Sequence, residues 1–141
     1  MSFLIDTNVL SEGMKPRPDP VVETWLARLD EGVAFVSVVT FAELRYGVER
    51  MPTGRRRTQL EDWLSVALPA RFDGRVLPID EAVAAVWGSV MARGDKLGRR
   101  FGIMDAFIAA TAEVHRLTLV TRNTRDFESL VGSIVNPWGR R

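Results

Sequence analysis

The chain of 141 residues has no cysteine and one histidine, His115. The first absence excludes disulfides and thiolate metal sites, and the second excludes zinc centres built from several imidazoles. Any metal must therefore be held by oxygen, which points to magnesium or manganese. Also missing are an apolar run approaching the ~20 residues of a membrane span and a basic-then-apolar leader at the amino terminus. The expectation is a cytoplasmic protein, complete as written, that does not meet a membrane. Lysine is scarce as well. Of 19 basic residues only Lys15 and Lys96 are lysine, and the other 17 are arginine, although the formal net charge is only +1. Arg55-Arg56-Arg57, Arg99-Arg100 and the pair Arg122 and Arg125 fall in expected loops or helix ends. There an arginine either faces solvent or grips phosphate with two donors.

What is present is enough for one ordinary domain and too little for two, so residues 1–141 are read as a single unit. Phe3-Leu4-Ile5 runs into Asp6, and Thr7-Asn8 then precedes a second apolar pair. This reads as a buried strand that stops at a carboxylate and turns into a helix, with Asp6 either capping that helix or serving chemistry at the strand's carboxyl end. Lys15 to Pro20, with three prolines, is a loop. Val21, Val22, Trp25, Leu26 and Leu29 recur at helical spacing, and Val33 to Val39 reads as a second buried strand. A helix then opens at Thr40 with Phe41, Leu44 and Val48 as its apolar stripe. Glu43 sits in its first turn, where it either completes a capping box with Thr40 or is a second acid just past a strand end.

Residues 55–69 predict a further helix, antiparallel to the one at 40–50, and this pair can stand off the sheet and carry an interface. Val76 to Ile79 is a short strand, Asp80 caps the helix after it, and Gly94 to Gly102 reads as a mobile, exposed loop. The next helix runs from about Met104 with Ile103, Phe107 and Val114 on one stripe and Asp105 outside it. Ala109 and Ala112, on the side of Asp105, permit close packing. Leu117 to Thr121 is the fourth strand, delivering Thr121, Asn123 and Asp126 at its end, and Ile134-Val135 makes a fifth strand at the sheet edge.

Alternation of strands and helices implies a mainly parallel sheet covered on both sides. Right-handed crossovers put every strand's carboxyl end on one edge. Asp6, Glu43, Asp105 and Asp126 map to that edge, and four carboxylates brought together repel one another unless a cation neutralises them. An oxygen-lined Mg²⁺ or Mn²⁺ site leaves positions for water and phosphate oxygens, and two ions about 3.5–4 Å apart could stabilise both the attacking and the leaving oxygen of a phosphodiester. Phosphodiester hydrolysis is the reaction this predicts, with Arg45, Arg99, Arg100, Arg122 and Arg125 as candidates for holding the flanking nucleic-acid backbone.

The motifs Ile5-Asp6-Thr7-Asn8-Val9-Leu10-Ser11, Phe41-Ala42-Glu43-Leu44-Arg45-Tyr46-Gly47, Met104-Asp105-Ala106-Phe107-Ile108-Ala109-Ala110-Thr111-Ala112 and Val120-Thr121-Arg122-Asn123-Thr124-Arg125-Asp126-Phe127, with the closing Asn136-Pro137-Trp138, resemble PIN-domain ribonucleases. More narrowly, they are similar to the VapC and FitB toxins of type II toxin–antitoxin systems. The resemblance covers nearly the whole chain. It implies an α/β/α sandwich with a mainly parallel five-stranded sheet, Mg²⁺- or Mn²⁺-dependent endoribonuclease activity, homodimerisation, and inhibition by a cognate antitoxin. Asp6 and Asp105 match the principal metal ligands, Glu43 the third acid, and Asp126 the acid of the last motif. Thr7, Asn8, Thr121 and Asn123 match positions that support the acids. Many family members have aspartate where this chain has Asn123, which leaves open whether Asn123 or Asp126 serves the last position. Two other readings compete: a PIN module that binds metal or antitoxin without turnover, and an aspartyl-phosphate phosphotransferase using Asp6. The second wants a lysine near the phosphoryl group, and both lysines lie in proline- or glycine-rich segments.

Overall fold

In a computed structural model, residues 1–139 are described; Arg140 and Arg141, the last two residues of the expected 1–141 unit, lie outside them. Five strands form one parallel sheet: β1 (Phe3–Ile5), β2 (Ala34–Ser37), β3 (Val76–Leu77), β4 (Thr118–Val120) and β5 (Ile134–Val135), in the order β3-β2-β1-β4-β5. The first strand is therefore central. It is flanked by β2, with Leu4 opposite Phe35, and by β4, with Ile5 opposite Val120. Burial on both faces explains the unbroken apolar runs, because each side of a covered parallel sheet needs its own core.

Alternation along the strands divides that core in two. Ile5, Val36 and Val120 pack on one face, with Val9 and Leu10 of α1 (Thr7–Glu12), Val22 of α2 (Pro20–Arg28), and Leu44 and Val48 of α3 (Val38–Glu49). Leu4 and Leu119 point the other way, into Val90 of α6 (Glu81–Lys96) and Ala106, Ile108, Ala109 and Ala112 of α7 (Ile103–His115). The helical segment after α3 comprises α4 (Arg55–Asp62), a π turn over Trp63–Ala67 and α5 (Leu68–Arg71). Pro69 has no N–H to return to Ser65, and the Leu68 N–H bonds instead to the Trp63 carbonyl five residues back. A short α8 (Thr124–Phe127) follows β4.

Three expectations are corrected. The second strand ends at Ser37, whose hydroxyl caps α3 through the Val39 N–H at 3.0 Å, so β-branched Val38 and Val39 belong to the helix and Thr40 is not its cap. Gly94 lies inside α6 and is buried. A Cβ there would come within 2.7 Å of the Phe101 ring and 2.8 Å of the Arg99 carbonyl, so the predicted loop begins only after Lys96 and folds back over the glycine. In α7 the buried face is Ala106, Ile108, Ala109, Ala110 and Ala112, while Ile103 is 59% exposed and takes no part in a buried stripe. Asp80 does cap α6, accepting from the Val83 N–H at 3.0 Å.

Candidate functional site

Strand order decides where the site forms. The chain leaves central β1 for β2 on one side and later returns to β4 on the other, so the crevice beside Asp6 is the switch point at the carboxyl edge of the sheet. Asp6 is only 5% exposed and continues the ladder, its N–H bonded to the Val120 carbonyl at 2.9 Å. Its carboxylate accepts from the Thr7 N–H at 2.8 Å, which caps α1, and from the Thr121 hydroxyl at 2.8 Å. Capping and exposure to the site are thus both true of Asp6, since each oxygen has its own protein donor and still faces the crevice.

The supporting residues interlock. Thr121 Oγ1 accepts from Asn8 Nδ2 at 3.3 Å and from the Asn123 N–H at 3.1 Å, and the Arg122 N–H donates to Asn8 Oδ1 at 3.3 Å. Thr7 Oγ1 donates to Glu43 at 2.6 Å and lies 3.3 Å from the Thr40 hydroxyl. Because α3 begins at Val38, Glu43 is in its second turn and cannot form the capping box; it turns instead toward Thr7 and the acid crevice. Asp105 occupies the first turn of α7, where Gly102 is the N-cap and no side chain caps the helix. A Cβ on Gly102 would sit 3.4 Å from the Asp105 carboxylate.

A cavity of about 350 Å³ is lined by Asp6, Thr7, Asn8, Ser11, Glu12, Lys15, Glu43, Asp105, Arg122, Asn123 and Trp138. A larger cavity of about 610 Å³, under Phe3, Trp25 and Leu29, has no acid in its wall. Burial pushes the Asp6 carboxyl up to about 6, with Glu43 and Asp105 adding to the rise and the Thr121 and Thr7 hydrogen bonds opposing it. Asp105 is raised as well, first by burial and then by the charges of Asp126 and Glu43. Among the described residues no lysine or arginine forms an ion pair with Asp6, Glu43, Asp105 or Asp126.

The wall of the cavity holds some of the residues expected at the site and not others, although Asp126, outside it, is near enough for its charge to raise Asp105. Asp126 is exposed, its N–H bonded to the Asn123 carbonyl, and it lies outside the cavity wall that Asn123 helps to form. Of the arginines only Arg122 lines the cavity. Arg45 donates to Ser65 at 3.1 Å, Arg99 lies over the Phe101 ring, and Arg100 and Arg125 are exposed elsewhere. Ser11, Glu12, Lys15 and Trp138 enter the wall without having been expected there. Asn8, Ser11, Glu12 and Lys15 do stand at i, i+3, i+4 and i+7, a polar stripe that could have been read. Glu12 is buried and paired with Lys15 at 2.8 Å; the Lys15 hydrogen bond and that from the Asp19 N–H hold its carboxyl below the ordinary range.

Whether a cation suits these donors can be judged from their chemistry. They are all oxygen, acidic, face one crevice and, among the described residues, form no ion pair. No three acidic or imidazole groups among the described residues already stand close enough to grip an ion by themselves. That suits Mg²⁺, which commonly takes one or two carboxylates and completes its shell with water and phosphate oxygens.

Acids gathered at the switch point of a doubly covered parallel sheet define a class of α/β domain that works at its carboxyl edge. A model of the PIN domain matches residues 3–132, and the chain belongs to the PIN-domain family. It is 38% identical over 136 residues to Toxin FitB of Neisseria gonorrhoeae, spanning 96% of this chain and 98% of that protein. It is 35% identical over 140 residues to the tRNA(fMet)-specific endonuclease VapC of Shigella flexneri, covering 98% of each. The crystal structure of FitAcB from Neisseria gonorrhoeae superposes with a TM-score of 0.91 at 37% identity, covering 98% of this chain and 99% of the other. The structure of FitAB bound to an IR36 DNA fragment matches equally well, with a TM-score of 0.91 at 34% identity, covering 99% of this chain and 97% of the other.

Proposed function

We propose that the protein is an Mg²⁺- or Mn²⁺-dependent endoribonuclease, the toxin of a type II toxin–antitoxin module, and that residues 1–141 form one PIN domain. The observation that carries the reading is Asp6: buried, pushed up to about 6, facing Glu43 and Asp105, and in no ion pair among the described residues. Relatives named as ribonucleases and toxins, aligned over nearly the full length, support it.

In this reading Asp6 and Asp105 would hold the ion directly, and Glu43, steadied by Thr7, would reach it from α3 through one of its waters. When bound, the ion supplies Lewis acidity and a water of lowered pKa for attack on phosphorus. The chain's own part is placement. Thr121 and the Thr7 N–H fix the two Asp6 oxygens, and Asn8 locks Thr121. Asn123 lines the cavity and is the better placed of the two candidates for the last position, while Asp126 acts on Asp105 through its charge. A cognate antitoxin is supported by solved relatives that include FitAB and VapBC complexes, and a homodimer is part of the same reading. The test is cleavage of RNA with Mg²⁺ or Mn²⁺. Cleavage is expected to stop with EDTA and with Asp6→Asn, and activity untouched by both would refute the mechanism.

A further inference from the structure

The carboxyl-terminal motif Asn136-Pro137-Trp138 has no part in the acid chemistry, yet it reaches the cavity. Trp138 is 7% exposed and lines the wall, with its N–H bonded to Asn136 Oδ1 at 2.9 Å. The Arg122 guanidinium lies over its ring, 5.1 Å from the centroid. Arg122 also lines the cavity, and among the described residues it forms no ion pair with Asp6, Glu43 or Asp105, although all three share the same wall. An unrestrained arginine beside unneutralised acids would be drawn onto them. Here the indole face holds the cation aside. The backbone at this point is fixed too: the Arg122 N–H donates to Asn8 Oδ1, Asn8 Nδ2 donates to Thr121, and Thr121 donates to Asp6. One short chain of hydrogen bonds therefore fixes the Arg122 backbone relative to the principal acid, and the Trp138 ring supports the guanidinium at the far end of its side chain.

We infer that Arg122, propped on Trp138, is the phosphate-binding cation of the site, contacting a phosphate of single-stranded RNA next to the acids, and that Trp138 is its positioning residue. This deepens the ribonuclease reading and rests on it. Arginine suits the task because its planar fork takes two phosphate oxygens while its flat face stays on the ring. Arg122 also helps to hold the buried Glu12 carboxyl low, but Lys15 is the cation paired with that acid, so of the two described cations in the wall Arg122 is the one without an ion pair.

The experiment measures binding of a fluorescein-labelled single-stranded RNA of mixed sequence by anisotropy over a range of salt. It uses the full chain in an Asp105→Asn background so that the probe is not cut. Arg122→Ala is expected to weaken binding about tenfold and to reduce the salt slope by about 0.7. Arg122→Lys should keep the slope and recover only part of the affinity. Trp138→Leu should weaken binding several-fold when Arg122 is present and have no further effect in the Arg122→Ala background, with Trp138→Phe falling between. Unchanged affinity and slope in Arg122→Ala overturns the inference while leaving the nuclease reading intact. Equal losses from the Trp138 variants with and without Arg122 overturn the positioning role. If Trp138→Leu fails to fold, the Arg122 variants and Trp138→Phe decide the matter alone. Absence of RNA binding by the parent chain removes the ribonuclease reading and this inference together.

Discussion

Asp6 carries two demands that oppose each other. As a cap and a hydrogen-bond acceptor it is stabilised as an anion, but burial beside Glu43 and Asp105 costs more, and its pKa is raised from 3.8 to about 6. A carboxyl raised in the folded state favours folding most below the unfolded value and loses that contribution as pH rises through the folded one. Without metal, the wild-type chain should therefore lose stability between about pH 4 and 6. Asp6→Asn should remove that slope and be more stable than wild type at pH 8 by roughly 1–3 kcal/mol, as read by thermal melts in EDTA at several pH values. A variant less stable than wild type at pH 8 would show that the hydrogen bonds outweigh burial. Thr121→Val tests the support from the other side. It removes the donor to Asp6 and the acceptor for Asn8 and the Asn123 N–H, and should cost about 1–3 kcal/mol together with most of the activity.

Elements show why some of this was legible in the sequence and some was not. Phe3-Leu4-Ile5 ending in Asp6 could be read directly, because burial on both sheet faces leaves no polar residue until the rim. Val38 and Val39 misled, since β-branched residues extend the apolar run by propensity while Ser37, a cap with an ordinary sequence signature, ends the strand. Ser37→Ala should accordingly lower stability by about 1 kcal/mol and loosen Glu43, which depends on where α3 begins. Gly94 misled in another way. Read as a loop signal, it is a close-approach site, where the long-range fold of Phe101 onto α6 requires a missing side chain. Gly94→Ala, helpful to an isolated helix, should here lower the melting temperature, with a cost of about 1–3 kcal/mol; a rise would mean that the 100s segment swings aside. Among the acids, Asp6 and Glu43 stand out because each follows a buried strand and Asp105 because it opens a closely packed helix, and all three line one cavity. Asp126, carried on the single turn of α8, is exposed and outside that wall, yet its charge still acts on Asp105.

For the whole molecule, charge is nearly balanced overall, while at one edge Asp6, Glu43 and Asp105 form no ion pair among the described residues. A divalent ion that binds the folded chain alone must raise its melting temperature by mass action, by about 2.7 kcal/mol at a hundredfold excess over the dissociation constant. Titration of Mg²⁺ or Mn²⁺ against the melting curve should show this for wild type, with the shift lost in Asp6→Asn and Asp105→Asn. Equal shifts in all three would place the ion elsewhere.

Residues 3–5 pair on one side with residues 34–35 and on the other with residues 118–120. The machinery is thus split between the beginning and the last quarter of the polypeptide. Until that final portion has been made, Asp6 has neither its ladder partner Val120 nor the Thr121 hydroxyl that fixes its carboxylate, so a chain cut short before residue 118 cannot assemble this edge of the sheet.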